Sequence, residues 1–181
     1  LVNVAAIGLV EKDNIIRSKV PKEAKNIPYS MILFGKTTDA TGFGGASFSS
    51  TVLDSDNDEQ NLGAVQVHDP FMKRVIVVAI NALKEYVKKH QIQIGFKDLG
   101  AGGIACATSE LAVAGGFGCK LNLNQVPVID PSLPPEVIAC SETQERFCVV
   151  VPESHAEAVC NIFNETYNMG ALYPGAGAAI I

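Results

Sequence analysis

The stretch Lys97-Asp98-Leu99-Gly100-Ala101-Gly102-Gly103-Ile104 constrains the fold more than any other part of the chain. Ile92, Ile94 and Phe96 precede it as a strand end, and the small-residue run Ile104 to Ala112 follows as a tightly packed helix. A strand, a glycine turn and a helix leave backbone N–H groups pointing beyond the sheet edge, where a helix start favours anions. Glycine also lets backbone approach a ligand without a Cβ clash. Asp98, at the mouth of the turn, is a hard oxygen donor of the kind that holds Mg²⁺ against a phosphate. The plainer alternative is a close helix–strand contact in which Asp98 only caps the helix. The turn alone leaves both open.

Bulk properties narrow the classes. A chain of 181 residues suits one domain, or one domain plus a fragment of another. With 48% hydrophobic and 18% charged residues it can bury a substantial core. The net charge is -5 and no Lys/Arg block exceeds a pair, which argues against a nucleic-acid footprint. No apolar run approaches membrane-spanning length and no signal-peptide pattern is present, so no membrane partner is expected. Cys106, Cys119, Cys140, Cys148 and Cys160 are odd in number, lack CxxC spacing and sit among apolar residues. Buried, reduced thiols and a cytoplasmic location follow as expectations. The chain starts Leu1-Val2-Asn3-Val4, without Met and already strand-like, and reads as a piece of a longer polypeptide.

Along the chain, Leu1 to Val10 reads as a strand, and Val20-Pro21 to Pro28 as a loop. Tyr29 to Gly35 is a short apolar run ending in glycine, a buried strand. The polar, glycine-rich residues 35–50 form a loop; the glycine four residues ahead of Gly35-Lys36-Thr37 that a Walker A motif needs is missing. Residues 51–61 read as a solvated acidic loop. Asp69 and Pro70 are N-cap and first residue of a helix to about Lys89, with Phe71, Val75, Val78, Ala79, Ala82, Leu83, Tyr86 and Val87 as its buried face. Capping explains Asp69, and lone His68 reads as structural. After the central helix, Cys119 to Leu123 alternates as a strand, and residues 126–135 are a proline-rich loop. Ser141-Glu142-Thr143-Gln144-Glu145-Arg146 leads into the strand Phe147 to Val151. So polar a cluster beside a buried strand is costly unless it is paired internally, through Glu142–Arg146 or Glu145–Arg146, or meets a polar ligand. Residues 154–168 form an amphipathic helix on Ala156, Val159, Cys160, Phe163 and Tyr167, and 178–181 a last strand.

Four stretches occur in the order found in one family: Gly42-Phe43-Gly44-Gly45-Ala46-Ser47-Phe48, Gln66-Val67-His68-Asp69-Pro70-Phe71, Asp98-Leu99-Gly100-Ala101-Gly102-Gly103 and Ser141-Glu142-Thr143-Gln144-Glu145-Arg146. Together they resemble phosphoribosylformylglycinamidine synthase, of the aminoimidazole ribonucleotide synthetase superfamily, over nearly the whole chain. The resemblance implies an α/β (α+β) layered sandwich, a mixed β-sheet with flanking helices. Residues 1–28 would enter as strand and linker from an absent N-terminal domain, and residues 29–181 would form the aminoimidazole ribonucleotide synthetase C-terminal-like domain.

The family enzyme is an ATP-dependent C–N ligase of purine biosynthesis. It phosphorylates the formamide oxygen of formylglycinamide ribonucleotide, and glutamine-derived ammonia displaces the phosphate to give the amidine. The resemblance implies Mg²⁺ and ATP as cofactors, Asp98 as metal ligand, Gly100, Gly102 and Gly103 as nucleotide-phosphate contacts, and Gln66, Glu142, Thr143 and Gln144 as substrate contacts. The partners implied are the N-terminal synthetase domain, a glutaminase subunit or domain, and a second copy in a homodimer. The family's catalytic histidine lies in the N-terminal unit, so no catalytic residue is assigned and the chain alone is expected to be inactive. His68 stands where the family more often has glycine, and Thr38 and Ala40-Thr41 depart from its first loop. The alternatives are a non-catalytic structural copy of the fold, or a related ATP-dependent enzyme such as aminoimidazole ribonucleotide synthetase.

Overall fold

In a computed structural model of the chain, which describes residues 3–45 and 66–181, an antiparallel sheet separates two apolar layers. The strands are β1 (Tyr29–Gly35), β2 (Gly95–Asp98), β3 (Arg146–Pro152) and β4 (Gly177–Ile180), in spatial order β2-β3-β1-β4. Among the described residues every ladder is antiparallel, and parallel pairing is confined to the isolated bridges Arg17–Gly95 and Thr38–Val128. Four α-helices flank the sheet among the described residues: α1 (Pro70–His90), α2 (Gly103–Gly115), α3 (Pro135–Cys140) and α4 (Ala156–Asn161). The α/β layered class expected from the sequence is the class found.

Strand alternation divides the core. Ile32 and Phe34 of β1 and Val149 and Val151 of β3 face α1 and α4, where Phe34 stacks on Phe163 with ring centroids 4.1 Å apart. Met31, Leu33, Cys148 and Val150 face the other way, onto Ile104, Ala107 and Leu111 of α2. Successive side chains of a strand point to opposite faces, so two central strands feed two cores at once. Removing that apolar area from water is the main stabilising term.

Helix α1 starts as the sequence requires. The Asp69 side chain accepts from the Met72 N–H at 2.9 Å, and Pro70 occupies the first turn. Its fully buried residues are Met72, Ile76, Ala79 and Leu83; of the expected face, Ala79 and Leu83 are among them and Val75, Tyr86 and Val87 pack half-buried on the core, while Phe71, 60% exposed, and Val78 turn outward. Met72 and Ile76 take the places nearest the sheet at the start of the helix. Two expected strands are absent among the described residues: residues 3–10 and 119–122 form no regular element. Val4, Ile7 and Leu9 stand almost fully exposed, so apolar alternation there finds no partner strand. The expected helix over 154–168 is composite, with a 3₁₀ turn at Glu153–His155, then α4, then a π-helical segment at Ile162–Thr166. The expected loop over 51–61 lies outside the described residues.

All five cysteines are free, but only Cys148 and Cys160 are buried; Cys106 and Cys140 are half-buried and Cys119 is exposed. Apolar neighbours in sequence had suggested burial for all five. Cys119 is open because its segment forms no strand. Burial pushes the Cys148 thiol up to about 12 and the Cys160 thiol up to about 11.

Candidate functional site

The site lies where β1 and β2 end and β3 begins. Arg146 opens β3 opposite Gly35, the Lys36 N–H donates to the Glu145 carbonyl at 3.0 Å, and the Leu99 N–H donates to the Arg146 carbonyl at 3.2 Å. That geometry brings together the loop after β1, the glycine turn after β2 and the Ser141–Arg146 turn, with Gln66 and Asp69 beside them.

The glycine turn is built by close approach. At Gly103, with φ +55°, a Cβ would lie 2.2 Å from the Ser141 carbonyl oxygen, so both backbone hand and space demand glycine. The Gly103 N–H donates to the Gly100 carbonyl at 3.0 Å, and the Gly102 N–H donates to Glu142 Oε1 at 3.3 Å. Asp98, at the end of β2, is exposed. The Met72 N–H has its cap in Asp69; no side chain caps α2, so Asp98 is not a capping group there.

Of the residues assigned to substrate, the structure joins Gln66 and Glu142. Gln66 Nε2 donates to Glu142 Oε2 at 2.5 Å across 76 positions of sequence. Glu142 is 2% exposed and Thr143 fully buried, while Gln144 is half-buried with its Nε2 donating to the Glu142 carbonyl at 3.0 Å. Gly42 closes the group: a Cβ at its φ of +68° would lie 2.9 Å from Glu142 Cβ and 3.2 Å from Gln66 Cγ. Exposed His68 stands two positions along from Gln66. The Ala46, Ser47 and Phe48 end of the first motif lies outside the described residues.

Four further side chains hold this arrangement; Asp39 and Tyr173 were not singled out from the sequence, and Glu145 and Arg146 only as candidates for pairing with each other or with Glu142. Asp39 Oδ1 accepts from Thr143 Oγ1 at 2.7 Å, the Thr41 N–H at 3.0 Å and the Thr41 hydroxyl at 2.5 Å. Partial burial pushes its carboxyl up, but the bonds from Thr41 and Thr143 more than offset that and hold it below the ordinary 3.8. Glu145 sits at φ +63°, rare for a residue with a side chain, and its carboxylate accepts from the Asp69 N–H at 3.2 Å and pairs with Lys73 at 2.7 Å. Tyr173, from the C-terminal loop, donates to Asp69 Oδ2. Arg146 is 1% exposed, and burial lowers its guanidinium to about 10 despite the opposing pull of Asp39. Its nitrogens bond the Ser141 and Thr143 carbonyls and Thr38, in place of the Glu142–Arg146 or Glu145–Arg146 pairing the sequence suggested. Local charge spacing favoured the neighbouring carboxylates; the backbone turn points them elsewhere.

The chain is thus a sheet-centred α/β domain with a glycine turn and a buried polar turn meeting at one end of the sheet. The family described as AIR synthase related protein, C-terminal domain, matches residues 31–170, and the chain belongs to it. Within that class, the chain is 44% identical over all 181 residues to the phosphoribosylformylglycinamidine synthase subunit PurL of Methanothrix thermoacetophila, and spans 23% of that protein. It is 37% identical over 163 residues to the same subunit of Streptomyces avermitilis, spanning 21% of it. It superposes on Thermotoga maritima PurL complexed with FGAR with a TM-score of 0.72 at 31% identity, covering 94% of this chain and 26% of that one. For T. maritima PurL complexed with ATP the values are 0.65, 28%, 95% and 24%. The chain thus spans about a quarter of the relatives it matches.

Proposed function

We propose that this chain is a substrate- and nucleotide-binding domain of an ATP-dependent ligase that makes formylglycinamidine ribonucleotide from formylglycinamide ribonucleotide and ammonia. The observation that carries the reading is the convergence of Gln66, Glu142 and the Gly102 amide at one sheet edge. These groups come from three of the motifs shared with the ligase family. The relatives named for this synthase, and the T. maritima structures with FGAR and with ATP, support the same assignment.

In this reading Gln66, Glu142, Thr143 and Gln144 hold the ribonucleotide. Glu142 and Thr143 are buried and already fixed by the fold, so they cost little reorganisation when a ligand arrives, and exposed Gln66 stands at the entrance. The glycine turn of Gly100, Gly102 and Gly103 is the nucleotide-phosphate contact in this reading, the Gly102 and Gly103 N–H groups exchanging Glu142 and the Gly100 carbonyl for phosphate oxygens. Asp98 fits Mg²⁺, because an exposed carboxylate beside such a turn suits a cation that takes one or two carboxylates and completes its shell with water and phosphate. The metal would shield phosphate charge. Asp98 would be the carboxylate that holds the metal. Residues 1–28 serve as the entry from a preceding N-terminal synthetase domain and residues 29–181 as the binding domain. Ammonia comes from a glutaminase partner, and the domain alone turns nothing over. The T. maritima PurLQS structure, to which the chain is similar at a TM-score of 0.64, supports such an assembly.

A second reading is a structural copy of the fold that binds no substrate. It is favoured by the way Gln66, Glu142 and Gly102 satisfy one another. Asp98→Asn in the intact polypeptide separates the two. For a binding domain we expect unchanged melting and a loss of Mg²⁺-dependent ATP binding by calorimetry; unchanged Mg²⁺ dependence removes the metal assignment and favours the structural copy.

A further inference from the structure

We propose that Arg146 is the positioning residue of the substrate-binding turn: its guanidinium fork sets where Glu142, Thr143 and Gln144 are presented. All three nitrogens donate. Nε bonds the Thr143 carbonyl at 2.9 Å, Nη2 the Ser141 carbonyl at 2.7 Å and Nη1 the Thr38 hydroxyl at 2.7 Å. The two carbonyls flank Glu142, so the fork grips the backbone on either side of that carboxylate.

The other end of the grip is rigid. Arg146 belongs to β3, lies opposite Gly35 of β1 and accepts from the Leu99 N–H beyond β2. Thr38 is itself tied down, its N–H donating to the Pro127 carbonyl and its carbonyl accepting from the Ile129 N–H, both at 2.9 Å. The fork therefore refers the turn to two strand ends and a pinned loop.

A fully buried cation is a costly way to fill space, and well-packed apolar side chains often replace buried charges without loss. What an apolar side chain cannot do is hold two carbonyls and a hydroxyl in one plane. Lysine cannot either, because its ammonium is a point charge on a flexible stem while guanidinium is a planar fork. The chemistry at this position is thus that of a template for the turn, and it acts on the substrate only through Glu142, Thr143 and Gln144.

The inference rests on the ribonucleotide-binding reading, and the test separates the two. In the intact polypeptide, calorimetry measures affinity for formylglycinamide ribonucleotide without ATP, and for ATP without ribonucleotide. Arg146→Lys is expected to weaken ribonucleotide binding by about tenfold or more, as loss of charge-assisted fork bonds implies. ATP affinity is expected to fall by less than ribonucleotide affinity, because the glycine turn meets the gripped turn only where the Gly102 N–H reaches Glu142 and Gly103 packs on Ser141. Methylguanidinium is expected to restore part of the ribonucleotide affinity of Arg146→Ala. Unchanged ribonucleotide affinity in a folded Arg146→Lys overturns the inference, and so does parallel weakening of both ligands. If neither Arg146 variant folds, Thr38→Val removes one acceptor: selective ribonucleotide weakening supports the inference, and wild-type affinity overturns it. Wild-type protein that binds no ribonucleotide overturns the functional reading instead.

Discussion

The two turns that meet at the sheet edge reach their shapes by opposite means. Residues 98–103 take theirs from the main chain: glycines, a left-handed Gly103 pressed against the Ser141 carbonyl, and an exposed carboxylate at the rim. Residues 141–146 take theirs from buried side chains, with Arg146 and Thr143 bonded to Thr38 and Asp39 of the loop after β1 and Glu145 to Asp69 at the start of α1. A backbone-built turn leaves its side chains free for a mobile ligand such as a metal-bound phosphate. A side-chain-built turn is rigid and specific, but its loss spreads to everything wired to it.

The largest expected effect tests the backbone-built turn. Gly103→Ala should cost about 2–5 kcal/mol, from a left-handed backbone of about 1–2 per residue and overpacking of about 1–3. Thermal and urea melts of the domain measure it; a near-wild-type melt would show that the turn does not depend on its close approach to Ser141.

Next comes the wired turn. Glu145→Ala keeps a side chain at φ +63° while losing the Lys73 pair and the Asp69 N–H acceptor. Glu145→Gly loses the same bonds but relieves the backbone. We expect the alanine variant to be less stable than the glycine variant by about 1 kcal/mol. Equal melts would mean that the backbone at Glu145 relaxes without cost.

A smaller effect concerns acid. The Asp39 carboxyl is held below its ordinary 3.8 in the fold, so it adds stability that is present above that value and lost as pH falls through the folded-state value. The melting temperature should drop below about pH 5. Asp39→Asn should flatten that limb while lowering stability at neutral pH; an unchanged acid limb would detach Asp39 from the network around Thr143.

The smallest effect is chemical. In native protein Cys119 should react first with a thiol reagent, while Cys148 and Cys160 wait for unfolding. Fast native reaction of Cys148 would show that the α2 face of the core opens readily.

Much of the frame was legible because it rests on local signals. The apolar run before Gly35 gave β1 its full extent, and Asp69-Pro70 marked the start of α1 through capping chemistry that needs only neighbours in sequence. Motif residues Gln66 and Glu142 were singled out by resemblance, and they do meet. Distance erased other signals. No local pattern says that Arg146 would reach across 108 positions to Thr38, or that Glu145 would turn to Lys73 and leave Arg146 to backbone carbonyls.

The sequence by itself determined the local patterns: the apolar runs of β1 and β3, the helical repeat in α1, and the glycines that only one backbone hand accepts. Tertiary structure decided which apolar residues of α1 are fully buried, that residues 119–122 form no strand, and that Glu145 meets Lys73 while Arg146 meets carbonyls. The reason is physical. Periodicity follows from bond geometry along the chain, whereas burial and charge pairing depend on what arrives from elsewhere in space. At this sheet edge, the same six residues Ser141 to Arg146 become a template only because three other segments end beside them.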